Sequence, residues 1–304
     1  MDIDLTNPIF HDETKATAHM ETDRWPDGVN CPFCGSVNVH RMGGKTQAGM
    51  FLCNDCRDKF TVRTGTIFER SHIPLHKWLM ATHIMAASKK SVSALQLQRM
   101  LGLGSYRSAW FMCHRIRESM KPAKVGPLGG KGRVVESDET IIGGRMKNRA
   151  YAKKKPKKHT VLTLVDREGD SHSFHIANVK AKTLRDSILR VVDRNSNLVT
   201  DEHPSYSDLG WEFASHKTVN HSANEYVWAD YAYTNTAESR FSLMKRAIFG
   251  AHHSVSEAHL PRYLTEWDFK WNTRKLKDGE RAALALRGAE GKRLTYRQPD
   301  KTAH

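Results

Sequence analysis

The sequence has no run of about 18 consecutive apolar residues, the length that a helix needs to cross a bilayer. Its first residues, Met1–Leu5, are acidic and lack the basic and apolar regions of a signal peptide. Internal repeats and long low-complexity tracts are absent as well. These absences argue against a membrane protein and against a secreted, disulfide-framed protein, and they favour a protein of the reducing cytoplasm.

Acidic side chains are the minority among the charged residues. The chain has 33 Asp and Glu against 48 Lys and Arg, which gives a net charge of +15. A field of this sign attracts polyanions, among which nucleic acid is the commonest partner. A merely soluble basic protein has the same balance, so charge alone leaves both interpretations open. The length of 304 residues is sufficient for two or three modest domains.

Cysteine is scarce outside one cluster. Four of the five cysteines form two CxxC pairs, Cys31 with Cys34 and Cys53 with Cys56, and 18 residues separate the pairs. This spacing suits tetrahedral Zn²⁺, because each pair presents two thiolates on one turn. Four thiolates close the coordination shell, so we expect one structural zinc ion rather than a catalytic one. A two-cysteine redox role and free thiols are the alternatives.

The segment from residue 67 to 121 has helical periodicity. Helices are predicted over 74–87, 91–101 and 105–120, with a glycine turn before the third, which is typical of a helix-turn-helix arrangement. An ordinary helical subdomain with a solvated basic face is the alternative. The candidate DNA contacts on the third helix are Arg107, His114, Arg115 and Arg117.

Two acidic residues end apolar strands farther along the chain, and a third lies on a predicted helix. Asp138 ends the strand 134–138, Asp201 ends the strand 198–201, and Glu238 follows 37 positions later. Carboxylates so arranged can hold two divalent ions about 3.5–4 Å apart for phosphodiester cleavage. Mg²⁺ prefers such oxygen ligands. Spacing alone does not decide which carboxylates bind metal, because other acidic residues lie beside Asp138 and Asp201. They are Glu136, Glu139 and Glu202.

The helix predicted around Glu238 carries a polar stripe beside an apolar one. Asn235, Glu238, Ser242 and Lys245 recur at steps of three, four and three residues. The neighbouring apolar stripe is expected to seat the helix on the sheet. Glu238 then points at the metal ions, Asn235 lies within reach of them one turn earlier, and Lys245 lies beside the DNA backbone.

Basic residues crowd the stretch between the first two predicted strands of this half, and no acid interrupts it between Glu139 and Asp166. Such a loop beside a metal site would hold phosphates through charge, with an affinity that falls steeply as salt rises. A solvated hairpin tip is the alternative. The basic residues are Arg145, Lys147, Arg149, Lys153, Lys154, Lys155, Lys157 and Lys158.

Together these features resemble the bacterial insertion-sequence DDE transposases that carry an N-terminal zinc ribbon. The resemblance covers roughly residues 27 to 275 and depends on the order and spacing of several motifs. The matching stretches are the two CxxC pairs, Glu136-Ser137-Asp138-Glu139-Thr140, Gly143-Gly144, Thr200-Asp201-Glu202-His203, Val219-Asn220-His221-Ser222, Thr234-Asn235-Thr236-Ala237-Glu238-Ser239, Lys245-Arg246 and Arg262-Tyr263-Leu264.

The resemblance implies a ribonuclease-H-like catalytic domain that cleaves DNA strands and transfers them. It also implies dependence on Mg²⁺ or Mn²⁺, with Asp138 and Asp201 as metal ligands. Family members differ in whether an Asn or a Glu is the third catalytic residue. This chain offers both Asn235 and Glu238, and we favour Glu238 as the third metal ligand.

The implied partner is double-stranded DNA, at the terminal inverted repeats of the element and at the target. A homodimer or larger assembly on DNA is expected, because transposases must hold two ends at once, and the implied location is the bacterial nucleoid. The rival functions are a non-enzymatic regulator that combines a zinc ribbon with a helix-turn-helix, and a nuclease that cuts without joining.

The predicted fold class is multidomain α+β. We expect a zinc ribbon, a helical, helix-turn-helix-like segment and a ribonuclease-H-like α/β catalytic domain with a mixed sheet. The predicted segments are a flexible N-terminal arm (1–24), the zinc ribbon (25–66), the helical DNA-binding segment (67–121), a linker (122–133), the catalytic domain (134–275) and a basic C-terminal tail (276–304).

Overall fold

The structure is a computed structural model that describes residues 4–44, 48–123, 126–143, 157–219 and 235–295. The chain forms two compact units. The first consists of Met1–Pro122 with Leu276–His304, and the second of Ala123–Lys275. Within the described ranges, no helix combines the length and the apolar character that a bilayer crossing requires.

The first unit contains a small antiparallel sheet around the cysteine cluster. Its strands are β1 (Val39–Arg41), β2 (Met50–Cys53) and β3 (Lys59–Thr61), in the order β1-β2-β3. Phe51 of β2 stacks on Phe60 of β3, with ring centroids 5.5 Å apart. So small a sheet has little apolar core, and the metal ligands described below supply the remaining cross-links.

The rest of the first unit is helical. The predicted second and third helices and the glycine turn between them are present, although the second helix begins at Ala94, after its N-cap Ser93, rather than at residue 91. Gly102 ends that helix at a φ of 59°, a left-handed conformation that glycine adopts without steric cost. The helices are α1 (Glu13–Arg24), α2 (Leu75–Ala87), α3 (Ala94–Leu101), α4 (Tyr106–Ser119) and α8 (Asp278–Arg287).

In place of the flexible arm predicted for residues 1–24, the structure has helix α1, and a half-exposed carboxylate joins it to α2. Glu13 accepts hydrogen bonds from the backbone N–H groups of Leu75 at 2.8 Å and His76 at 3.1 Å. Arg63 donates to the same carboxylate at 2.7 Å. Glu13 thereby satisfies N–H groups that the start of α2 leaves unpaired. The sequence of residues 1–24 does not predict this contact, because the segment is polar and its few buried residues are small or isolated.

The basic tail predicted for residues 276–304 also contains a helix, α8, which packs on α2. Its buried positions include Ala282, Ala285 and Leu286. Beyond the helix, Glu290 pairs with Arg24 at 3.1 Å. The small apolar residues recur at a helical spacing, but charged neighbours outnumber them and give the segment the appearance of a tail.

The second unit is a five-stranded mixed sheet with helices on both faces. The sheet order is β6-β5-β4-β7-β8; β4, β5 and β6 are antiparallel, and β7 and β8 run parallel to β4. The predicted fold class, with its mixed sheet, is confirmed. The elements are β4 (Val134–Gly143), β5 (Lys158–Asp166), β6 (Ser171–Ile176), α5 (Ala181–Leu189), β7 (Asn197–Asp201), β8 (Ser215–Val219), α6 (Asn235–Ala247) and α7 (Leu260–Asn272).

Each face of this sheet has its own apolar core. On one face, buried side chains such as Leu164 and Leu198 pack with Leu184 and Ile188 of α5. On the other face, α6 and α7 cover the sheet. Since side chains alternate between the faces of a strand, every second residue of β4 faces α6 and α7. The core residues on this second face include Ile142, Val161, Phe241, Met244, Leu260 and Leu264.

Replacing Glu13 by Ala is expected to lower the free energy of unfolding by about 1–2 kcal/mol, because the first N–H groups of α2 lose their acceptor. Urea unfolding of the full chain, followed by circular dichroism, measures this change. Lys15→Ala, on the exposed face of α1, is the matched control and should stay near the wild-type value. An unchanged Glu13→Ala protein would show that α2 does not depend on this contact.

Candidate active site and metal centres

Two parallel strands bring the first pair of predicted metal ligands to one level of the sheet. Glu136 of β4 is paired with Val199 of β7. Asp138 and Asp201 each lie two residues beyond that pair, so their side chains project from the same face of the sheet. Neighbouring strands lie about 4.8 Å apart. The structure therefore places these two carboxylates side by side at the end of β7.

Two of the competing acidic residues are directed elsewhere. Glu139 follows Asp138 and projects from the opposite face of β4, where its carboxylate accepts a hydrogen bond from the Tyr206 hydroxyl. Burial raises the pKa of Glu139, and that hydrogen bond opposes the rise. Glu202 is exposed beyond the end of β7. Asp138 and Asp201 are thus the pair that the two strands bring together.

Glu136, the third competitor, joins the sheet to α6. Its side chain is fully buried; Arg167 Nε donates to Oε1 at 2.6 Å, and the backbone N–H of Ala237 donates to Oε2 at 3.0 Å. The first N–H groups of a helix lack partners within the helix and attract negative charge. Glu136 therefore holds the start of α6 against the face of β4 that carries Asp138. Glu238 follows directly after the tethered residue.

A second buried contact fixes α6 one turn later. Arg240 is 2% exposed, donates to Asp268 of α7, and lies 3.3 Å from the Thr163 hydroxyl. Ser173 of β6 closes the network, because its N–H donates to Asp268 at 3.0 Å and its hydroxyl lies 2.9 Å from that of Thr163. Thr163 is the residue paired with Asp138 across β4 and β5. Two anchors on the same sheet face thus restrict where α6 presents Glu238.

The electrostatics of the site favour a bound cation. Burial raises the pKa of the Asp138 carboxyl to about 7, and the charges of Glu139, Asp201 and Glu238 contribute to the rise, while a hydrogen bond from the Glu139 N–H opposes it. A divalent cation reverses this preference for the protonated form. The donors are all carboxylate oxygens, which are the ligands preferred by hard ions such as Mg²⁺ and Mn²⁺. The residues present therefore fit the divalent metal that the sequence predicts.

The three carboxylates are spread more widely than the ligands of a single caged ion. In the described part of the chain, two groups bring all their ligand atoms within 4.8 Å of one another, namely the four cysteines and a trio on the second unit. Asp138, Asp201 and Glu238 do not form such a group, and Glu238 is exposed. A wider set is compatible with two ions about 3.5–4 Å apart.

The two remaining predicted catalytic residues both lie on α6. Asn235 is the first residue of the helix, and its side chain lies outside the described residues. Lys245 is exposed, about two turns beyond Glu238. The helix therefore carries Glu238 and Lys245 along its exposed side, as the polar stripe predicts.

The four cysteines of the first unit converge on one point. The Sγ atoms of Cys31 and Cys56 lie 3.6 Å apart, and so do those of Cys34 and Cys53. Thiolates bound to tetrahedral zinc at about 2.3 Å lie about 3.8 Å from one another, which matches these distances. A hydrogen bond from the Cys56 N–H contributes most to lowering the pKa of the Cys53 thiol, which is about 7. The cysteines fit a structural zinc ion.

Three of the predicted DNA contacts on α4 are wrong, because the helix is buried on more sides than its sequence indicates. His114 is 0% exposed, Arg115 is 6% exposed and Arg117 is 2% exposed. The Arg115 guanidinium donates to the Glu69 carbonyl oxygen at 2.7 Å and lies over the Trp78 ring, and burial lowers its pKa to about 10. Buried side chains of this kind cannot reach DNA, and Arg115 instead joins α4 to the backbone at Glu69. Arg107 is exposed and stays a candidate contact.

The predicted basic loop is only partly described. Lys157 and Lys158 are exposed where β5 begins. The other basic residues of the loop lie outside the described residues. They are Arg145, Lys147, Arg149, Lys153, Lys154 and Lys155.

Comparisons with known proteins agree with this geometry. Residues 127–272 match the ISXO2-like transposase domain family, and residues 11–59 match the transposase zinc-ribbon domain. The chain is thus similar to transposases over both matched stretches. An uncharacterized protein in the transposable element ISH50 of Halobacterium salinarum is 28% identical over 277 residues, which cover 86% of this chain and 91% of that protein. The resemblance predicted from the motifs is confirmed.

Reasoning from the sequence of this transposase missed the residues that position α6. The sequence suggested Glu136 only as an alternative metal ligand, and nothing in it predicted a role for Arg240. A charged residue on a strand or helix is ordinarily solvated, so its sequence does not reveal a buried partner. Alternation along β4 offered one hint, since it places Glu136 on the same face as Asp138.

We expect the purified transposase to hold one zinc ion in its cysteine cluster. Cys31→Ser should lower both the zinc content and the yield of folded protein, because three thiolates leave the coordination shell open. Zinc per chain is measured by mass spectrometry after dialysis. Cys113→Ser is the matched control, since that buried cysteine lies outside the cluster. Full folding of the Cys31→Ser protein without zinc would contradict a structural metal.

Divalent metal binding at Asp138 is expected to weaken as the pH falls. In the absence of metal, the raised pKa means that ionising Asp138 costs stability progressively between about pH 4 and pH 7. An ion must displace this proton below about pH 7, so the apparent affinity should be about tenfold lower at pH 6 than at pH 8.

Thermal unfolding with and without Ca²⁺ or Mg²⁺ measures this effect as a larger stabilisation at the higher pH. Asp138→Asn should remove the stabilisation at both pH values. A metal-induced shift that is equal at the two pH values would contradict the assignment of this proton to the metal site.

Proposed function

We propose that the protein cleaves DNA strands at the ends of an insertion element and transfers them to a target, with Asp138, Asp201 and Glu238 as the metal-binding set. The observation that carries this proposal is the parallel register of β4 and β7, which sets two carboxylates side by side. The tether between Glu136 and Ala237 adds a third carboxylate from α6. A transposase domain matched over the same residues supports the same reaction class.

The bound divalent ions supply activation of the attacking oxygen and stabilisation of the leaving oxygen. The protein's own contribution is position and charge. Asp138 and Asp201 hold the ions from the rigid sheet, whose strand pairing fixes both carboxylates. Glu238 approaches from an exposed helix face, where DNA has access. The attacking groups are water in the first step and a 3′-hydroxyl in the second.

Glu238 is the better third ligand on physical grounds. A carboxylate adds a full negative charge to a site for paired dications, whereas the amide oxygen of Asn235 adds only a dipole. Glu238 also contributes to the raised pKa of Asp138, which indicates that the two carboxylates interact. We assign Asn235 an auxiliary role one turn earlier on the helix.

Phosphate contacts are assigned to exposed cations around this site. Lys245 continues the exposed side of α6, and Lys157 and Lys158 lead into β5. Lysine suits phosphates better than base edges, so these residues supply affinity without sequence choice. The remaining proposed contacts are Arg107 on α4 and Lys147, Lys153, Lys154 and Lys155 of the basic loop.

The zinc ribbon and the helices of the first unit are assigned to DNA recognition. Transposase domains imply DNA as the partner, and strand transfer joins two element ends to one target. We therefore propose that the protein acts as a dimer or larger assembly on terminal inverted repeats. A regulator that only binds DNA would have no use for the three carboxylates, and this is the observation that disfavours the rival function.

Glu238→Gln, which is nearly isosteric, is expected to remove almost all cleavage and to leave DNA binding intact, because the amide cannot neutralise the metal charge. Asn235→Ala should reduce cleavage by only about ten- to a hundredfold, as for an auxiliary group. Mg²⁺-dependent nicking of a labelled terminal-repeat duplex measures cleavage, and binding is followed in Ca²⁺. Transfer of the cut strand to a plasmid distinguishes a transposase from a simple nuclease.

The experiment has positive and negative controls. Asp138→Asn and Asp201→Asn should both abolish cleavage, while Glu168→Gln, an exposed carboxylate in the turn after β5, should cleave normally. Normal cleavage by Glu238→Gln together with an inactive Asn235→Ala would reverse the assignment of the third residue. Normal cleavage by both aspartate variants would refute the proposed function.

A further inference from the structure

A second cluster of metal-ligating side chains lies on the transposase unit, apart from the three carboxylates. His159 of β5, His175 of β6 and Glu257, in a single turn before α7, bring their ligand atoms within 4.8 Å of one another. The ligand atoms of the four cysteines in the zinc ribbon are equally close together. Among the described residues, these are the two groups of three or more His, Cys, Asp or Glu side chains that come so close.

The sheet and α7 create this cluster. His175 is paired with Val161, and His159 lies two residues before Val161, so both imidazoles project from the face that α7 covers. Diagonal neighbours of this kind can touch when their side chains are large, and the two rings lie 5.4 Å apart between centroids. Glu257 is brought to them by the turn Glu257–His259, which leads directly into α7.

The cluster is separate from the proposed catalytic site. Asp138 is paired with Thr163, and Ile142, four residues farther along β4, is paired with His159. At about 3.3 Å per residue, that spacing is about 13 Å along the strand. No single ion can be shared between ligands so far apart. The cluster lies instead at the end of the sheet from which β4 and β5 lead into residues 144–156.

The side chains of the cluster have no other evident task. His159 is 7% exposed, and within the described ranges neither imidazole nor the Glu257 carboxylate is hydrogen bonded or ion paired to another group. A metal ion would satisfy both rings at once and would neutralise the carboxylate beside them.

We propose that His159, His175 and Glu257 form a second metal site, which takes a transition-metal dication of the zinc class. Two imidazoles and one carboxylate are a ligand set that zinc accepts, with one coordination position left for water. Imidazole favours such ions over Mg²⁺, which prefers oxygen donors. The site is therefore chemically distinct from both the carboxylate set and the closed four-thiolate centre.

The ion would act as a cross-link between the sheet and α7. It would join two neighbouring strands to the turn that precedes α7. Strands β4 and β5 lead from this end of the sheet into residues 144–156, which contain six of the eight basic residues listed for the basic loop. Ligands bound to zinc at about 2.0–2.2 Å lie about 3.3–3.5 Å apart, so small side-chain rotations close the cluster on the ion. Glu257, the third ligand, is exposed.

Zinc stoichiometry tests this proposal. The full-length protein is dialysed to equilibrium against micromolar Zn²⁺, and bound zinc is counted by mass spectrometry. We expect two ions per chain in the wild type, one in His175→Ala and one in Glu257→Gln. His172→Ala is the matched control, because that histidine lies on the same strand but projects from the opposite face; it should keep two.

Cobalt substitution identifies which ion is lost. The sulfur-to-metal absorption of Co²⁺ in the cysteine cluster should persist in His175→Ala and Glu257→Gln, while the weaker absorption of the second ion disappears. Glu257 is exposed, so its substitution tests the site even if removal of His175 impairs folding. One ion in the wild type, or two ions retained in folded Glu257→Gln and His175→Ala, would overturn the proposal.

Discussion

Glu136 carries a negative charge into the core of the second unit, where it is fully buried. An uncompensated charge in such a place destabilises a protein by about 3–5 kcal/mol. Here one carboxylate oxygen accepts from Arg167 and the other from the first turn of α6. The turn after β5, the central strand and a helix much farther along the chain must therefore come together before this side chain is satisfied.

The geometry of the carboxylate site follows from that requirement. Strand pairing alone fixes Asp138 beside Asp201, but a helix lying on a sheet could slide or rotate. The Glu136 contact at its first turn and the Arg240 contact one turn later prevent this, since both attach to the same sheet face. Glu238 is consequently positioned by a buried hydrogen bond and a buried ion pair, although its own side chain is exposed.

The features that sequence predicted well are those with a strong periodic or spacing signal. The apolar strand that ends at Asp201, the four cysteines and the polar stripe of α6 all have such a signal. The prediction that a strand ends at Asp138 was wrong, because β4 continues to Gly143 through the β-branched residues Thr140, Ile141 and Ile142. Strand β8 and helices α1 and α8 were missed because their patterns are short or diluted by charge. His114, Arg115 and Arg117 were misassigned because a basic helix face has the same sequence pattern whether it meets solvent or is buried by its neighbours.

The position of α8 has a consequence for biosynthesis. The first unit is built from both ends of the described chain, and the second is inserted between them. All strands and helices of the inserted unit are synthesised before α8. The sequence of the second unit is therefore complete before the first unit has its last helix. A chain that stopped after residue 275 would contain Asp138, Asp201 and Glu238 but would leave the first unit without α8.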